Sequence, residues 1–215
     1  MNVSARPEPF EASSSPRSDK AQAILAGALQ VFMASGYTAA SMDRIAAAAG
    51  VSKSTLYSYF QDKEGLFVAL IQKLTHTSHQ LVFGLLTNPD LQDPPEQVLR
   101  KMATLVLDQF SKNQSLLTLM RLIMAESERF PKLGQTFVEN IQKPMLEQLA
   151  LYLASQPQLQ LSDPMVAARV FAGSLVHYLI IQKIMHGDEV LPLDRDRMID
   201  GLIEILTASG TGKSQ

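Results

Sequence analysis

With 215 residues the chain has room for one medium domain, or for a small domain joined to a larger one. Its 46% hydrophobic content is that of a folding globular protein, and the absence of cysteine excludes disulfides, thiolate metal sites and cysteine nucleophiles. A net charge of −2 is not the strongly basic balance of a protein held to nucleic acid by bulk electrostatics, although residues 1–75 are net basic by one charge.

Residues 1–17 contain Pro7, Pro9, Pro16 and the run Ser13 to Ser15, a composition that buries no core and predicts a flexible tail. No basic segment followed by an apolar run marks a signal peptide there. The most apolar stretch, Val166 to Ile181, is interrupted by Arg169, Ser174 and His177. A cytoplasmic chain without a membrane segment is expected. From Ser18 the apolar residues take helical spacing: Ile24, Ala28, Leu29 and Phe32 share a face, and Gly36 follows as a stop. A second helix is predicted near Ser41 to Ala49, ending at Gly50. Ser52 caps a third through Phe60, and Asp62 caps a fourth that carries Leu66, Phe67, Leu70 and Leu74.

The stretch from Ser41 to Phe60 is therefore a short helix, a glycine turn and a second short helix, the pattern of a helix-turn-helix. Ile45, Ala46, Val51, Leu56 and Phe60 lock the pair, and small Ala46 and Ala49 permit a close crossing. The second helix presents Lys53, Ser54, Thr55, Tyr57, Ser58 and Tyr59, whose donors and lengths suit phosphates and base edges in a major groove. Aromatic residues at helical spacing usually pack in a core. Here Leu56 and Phe60 already supply that face, which leaves the tyrosines for another task.

Gly36-Tyr37, Met42-Asp43-x-Ile45-Ala46, Ala49-Gly50-Val51-Ser52-Lys53-x-Thr55-Leu56-Tyr57-x-Tyr59-Phe60 and Lys63-Glu64-x-Leu66 resemble the N-terminal signature of TetR/AcrR-type regulators over residues 18–70. The resemblance implies that Lys53, Thr55, Tyr57 and Tyr59 contact DNA and that Lys63 holds a phosphate. Ser41, Arg44, Ser52 and Ser58 complete the expected DNA-binding set. Where the family usually has Ser or Thr, this chain has Ala40, with Ser41 or Thr38 as substitutes. Gly and His are also frequent at the positions of Ser54 and Ser58, so base preference does not transfer. The segment Ala125-Glu126-Ser127-Glu128-Arg129-Phe130-Pro131 is similar to the ligand domains of AefR-like regulators.

Beyond Asn88 the helices lengthen. Asp93-Pro94-Pro95-Glu96 and Asp163-Pro164 each put an acid at a cap and proline in a first turn. Helices are expected near 94–112, 114–126, 133–155, 163–186 and 194–208, with Pro144 kinking the third. The expected architecture is all-α: a tail over 1–17, a three-helix helix-turn-helix DNA-binding domain over 18–64, and a larger helical-bundle ligand-binding and dimerisation domain over 65–210. Phe83, Met102, Phe110, Leu117, Met120, Met124, Phe137, Phe171 and His177 are candidates to line a pocket for a small apolar effector. Ala168, Ala172, Leu175, Leu179, Met198, Leu202 and Ile205 are candidates for a homodimer interface.

An enzyme is the competing class, but no nucleophile elbow, phosphate loop or His-Glu metal motif is present. Glu126 and Glu128, two apart, point to different helix faces. His76 and His79 stand three apart, a spacing that suits a metal, yet no third ligand completes a site nearby. No metal or cofactor is expected. A helical interaction module that has lost DNA binding is a third reading, opposed by Lys53, Tyr57 and Lys63. The reading that remains is a ligand-released repressor, binding a near-palindromic double-stranded operator as a dimer.

Overall fold

The computed structural model describes residues 16–87 and 93–208. Most of the segment read as a tail, residues 1–15, lies outside these, as do residues 209 and 210 and the side chain of His79. Every regular element among the described residues is helical.

The first four helices are α1 (Pro16–Ala39), α2 (Met42–Ala48), α3 (Lys53–Tyr59) and α4 (Lys63–Thr87). The starts of α2, α3 and α4 follow from side-chain capping. Ser41 Oγ accepts from the Arg44 N–H, Ser52 Oγ from Thr55 and Asp62 Oδ1 from Gly65. α1 loses helical geometry at Gly36, and the turn between α2 and α3 is made at Gly50; both have left-handed φ, 72° and 65°. α1 and α2 cross closely, since a Cβ on Gly27 would come within 2.8 Å of the Ala49 backbone nitrogen. The small residue at Ala49 thus serves α1, where the sequence suggested α3.

The rest of the chain forms α5 (Pro95–Lys112), α6 (Gln114–Glu126), α7 (Pro131–Phe137), α8 (Lys143–Ala154), α9 (Pro164–Leu179) and α10 (Arg195–Ala208). Asp163 caps α9, its Oδ1 accepting from both Met165 and Val166. Asp93 does not cap α5: Pro94 stands at that position, and the aspartate pairs instead with Lys101 at 2.6 Å. The single helix expected over 133–155 is divided by a π turn, Val138–Gln142, immediately before Pro144. Pro144 has no N–H for the Asn140 carbonyl, and Lys143 bonds five residues back, to Val138. A second π turn, Ile180–Ile184, extends α9.

Two apolar cores result. The first joins Ile24, Phe32, Ile45 and Leu56 to Leu66, Phe67 and Leu70 of α4, and also to Leu119 and Ile123 of α6. The second gathers Leu99, Leu107, Leu153, Phe171, Leu175, Ile199 and Leu202, with Val82 from the far end of α4. Packing is therefore continuous across residue 64, where a domain boundary was expected. Helix α4 is shared because it carries Leu66, Phe67 and Leu70 into the first core and Val82 into the second.

Candidate nucleic-acid interface

α3 is fixed by Leu56, which is fully buried, and by Phe60 packed on the first core. This orientation leaves Lys53, Ser54, Tyr57 and Ser58 exposed, a single stripe at i, i+1, i+4 and i+5. Tyr57 is 45% exposed, too much for a core tyrosine. Thr55 and Tyr59 lie on the flank of this stripe, half-buried. The Thr55 hydroxyl is 2.8 Å from that of Ser52, and Tyr59 packs on the core. The Ser58 hydroxyl donates to the Thr55 carbonyl at 2.7 Å.

On α2, Ser41 and Arg44 are exposed beside the stripe, with Arg44 donating to the Ala39 carbonyl at 3.1 Å. Lys53 forms an exposed ion pair with Asp43 at 2.7 Å, and the carboxylate raises the lysine's pKa.

Lys63 behaves differently from the other candidates. Its ammonium donates to the carbonyls of Tyr37 at 2.7 Å and Ala40 at 3.0 Å, and lies 4.3 Å from the centroid of the Tyr37 ring. Partial burial lowers its pKa. In this arrangement Lys63 ties α4 to the α1–α2 turn; its donors are taken up by carbonyls at the end of α1. Ala40 is buried and offers no hydroxyl. Ser41 provides the cap, and Thr38 donates instead to Glu126 Oε2 at 2.9 Å.

Arg17, read as part of the tail, lies at the start of α1 with its guanidinium 5.9 Å from the Tyr59 ring centroid. It adds a cation beside α3. The available signal was Pro16, a good first-turn residue that can open a helix.

Behind this surface, α4, α5, α6, the first π turn, α8 and α9 enclose an apolar cavity of about 90 Å³. Met102, Phe110, Met120, Phe137, Met145 and Phe171 line it, together with Val106 and Ile141, which the sequence did not single out. Four candidates lie elsewhere. Leu117 is buried away from the wall, and its neighbour Leu116 takes that place. Phe83 and Met124 are about half exposed, and His177 points out of α9 on the side opposite Phe171 and Leu175.

The expected dimer residues also divide by helix face. Ala168, Leu175, Leu179 and Leu202 are buried within the protomer, and Ala172 lines the cavity. They are therefore not available to a second chain in this conformation. Ile205 is 66% exposed, and Met198 borders a groove between α9 and α10 with Val170, Gly173 and Leu193. Pro164–Ile184 is long and apolar enough to span a membrane by composition, yet it carries Arg169 and packs one face on the second core. Only 28% of its most apolar stretch is buried, so a large apolar face remains uncovered.

Among the described residues no cluster of three His, Cys, Asp or Glu could hold a metal ion. Comparison with known proteins gives concordant matches at both ends. Residues 24–70 match the family described as bacterial regulatory proteins, tetR family, and residues 97–209 match the AefR-like transcriptional repressor C-terminal domain. The HTH-type transcriptional activator FasR of Mycolicibacterium smegmatis is 45% identical over 58 residues, 27% of this chain. That match spans only 26% of FasR. A TetR-family regulator structure from Mesorhizobium loti superimposes with a TM-score of 0.73 at 26% identity, covering 91% of this chain and 98% of that one. The flavonoid-responsive regulator FrrA gives a TM-score of 0.66 at 29% identity, covering 90% and 93%.

Proposed function

This chain belongs to the TetR family of transcriptional regulators, and on that premise we propose that it is a cytoplasmic repressor whose homodimer leaves its operator when a small apolar effector binds. The observation that carries the DNA-binding reading is the α3 stripe. Four polar or aromatic side chains project from a helix whose other face is locked by Leu56. Lys53 and Tyr57 are read as DNA contacts, with Ser41, Arg44, Ser52 and Ser58 placing donors on the same side and Thr55 and Tyr59 at its edge. Arg17 joins this set.

Two-fold symmetry compensates for the modest charge. A dimer sets two such helices about 34–36 Å apart, matching successive major grooves, and so requires a near-palindromic site. The uncovered faces of α9 and α10, with Val166, Val170 and Ile205 exposed and open space beside Gly173 and Gly201, support a helix bundle between two copies. The cavity supports effector control because α4 and α6 form part of its wall and also enter the first core. A ligand that repacks this wall acts on the elements that hold α3. The responsiveness of FrrA to flavonoids agrees with this mode of control.

The deciding experiment is selection of bound duplexes from a random pool by the purified protein. A near-palindromic consensus is expected, and Tyr57→Ala should remove specific binding while retaining the helical circular dichroism spectrum. Retention of the same consensus at wild-type affinity by Tyr57→Ala would overturn the assignment of α3.

A further inference from the structure

We propose that the apolar cavity is entered through the cleft between α4 and the first π turn, and that this cleft recognises an uncharged, hydrogen-bonding head group. The inference rests on the ligand-release reading above and specifies the class of molecule that acts there. The cleft, about 460 Å³, presents Gln72, His76 and Gln80 from α4 and Asn140 from the π turn. Thr75 and Ile141 belong to both its floor and the cavity wall, so one layer of side chains separates the two spaces.

The chemistry of these walls is selective. Among the described residues, no Lys, Arg, Asp or Glu lines either the cleft or the cavity. An ionised head group would give up water there and find no opposite charge, whereas an amide, hydroxyl or carbonyl would find matched donors and acceptors. Gln72 Nε2 now donates to Asn140 Oδ1 at 3.2 Å, bridging α4 and the π turn. Each partner is a neutral group that can exchange this bond for one to a ligand. The Thr75 hydroxyl donates to the Ile71 carbonyl at 2.8 Å and keeps its lone pairs for a donor on the ligand. The π turn makes the arrangement possible: its consecutive residues set Asn140 on the cleft while Ile141 and Gln142 reach the cavity. π turns of this kind recur at functional sites.

Below the cleft the cavity admits an apolar body. At about 90 Å³ it is smaller than the roughly 150 Å³ that accommodates benzene in other proteins, so Met102, Met120 and Met145 must shift to admit one. The fitting ligand is a neutral amphiphile with a flexible or compact apolar part and one hydrogen-bonding end.

The test uses the full-length protein and three probes matched in their apolar tail: octanamide, octanoate and octylammonium. Binding is measured by calorimetry without DNA at about pH 8. Octanamide is expected to bind saturably and at least about tenfold more tightly than either ion. Asn140→Leu and, separately, Gln72→Leu should each weaken octanamide by about tenfold. Gln72 is on the surface, so its variant remains informative if Asn140→Leu does not fold. Equal or tighter binding of either ion, insensitivity of octanamide to the folded variants, or no saturable binding of any probe would overturn the inference. Release of the selected operator is scored separately. Octanamide that binds as expected without releasing DNA would defeat the ligand-release reading and leave the cleft assignment intact.

Discussion

The Lys63 ammonium reaches the carbonyls of both Tyr37 and Ala40, so changing this side chain acts first on the turn that joins α1 to α2. Lys63→Met would leave those carbonyls without their donor, and a loss of about 1–3 kcal/mol in stability is expected from urea unfolding. Unchanged stability would show that these two bonds do not hold the turn. Beside it, burial pushes the Tyr37 phenol up to about 12, as it does for Tyr152. The unfolded chain ionises its tyrosines near pH 10.0 while the folded one keeps these two neutral. Below that pH the preference costs nothing further, and stability falls as pH rises from about 10 to about 12. Tyr37→Phe should make that alkaline decline shallower, which unfolding midpoints across the window will measure. At this scale the sequence was informative for caps and for α3. Ser41, Ser52 and Asp62 act within their own first turns, and the exposed stripe follows from the spacing of Leu56 and Phe60. The turn contacts of Lys63 and the helical placement of Arg17 were not legible because their partners, Tyr37 and Tyr59, stand 26 and 42 positions away in sequence.

Among the elements, α6 has the most consequential position. Leu116 and Met120 contribute to the cavity wall, Leu119 and Ile123 enter the first core, and Arg121 donates to the Lys183 carbonyl at 2.8 Å. Its last residue, Glu126, accepts from Thr38 next to the turn held by Lys63. The helix thus provides one rigid path between the cavity and the α1–α2 turn. Thr38→Val keeps the shape and deletes the bond. It is expected to reduce the effector-induced drop in operator affinity by about 0.5–2 kcal/mol, read from paired titrations with and without effector. An undiminished drop would remove Thr38 and Glu126 from the coupling. Helix existence was readable from periodicity, whereas the π turns were not. Pro144 announced an interruption but not its form, because a π turn keeps the same apolar spacing while shifting its phase.

For the molecule as a whole, the unresolved geometry in sequence was the phase of α9. Apolar residues occur on all sides of it, so periodicity alone does not say which face meets the second core and which is left for a partner. The structure places Ala168, Leu175 and Leu179 inward and leaves Val166 and Val170 outward. If the proposed dimer forms through this face, Val170→Glu should give a monomer in sedimentation while leaving the protomer folded, and specific operator binding should fall with it. A dimeric Val170→Glu protein would place the interface elsewhere.

Among the described residues no charged side chain lines the cavity, and on the effector-release proposal this has a physiological corollary. Molecules that such a wall accepts also partition into lipid and diffuse through bilayers unaided. A sensor that works as proposed would follow the concentration outside the cell without depending on an uptake system, and its response time would be set by permeation.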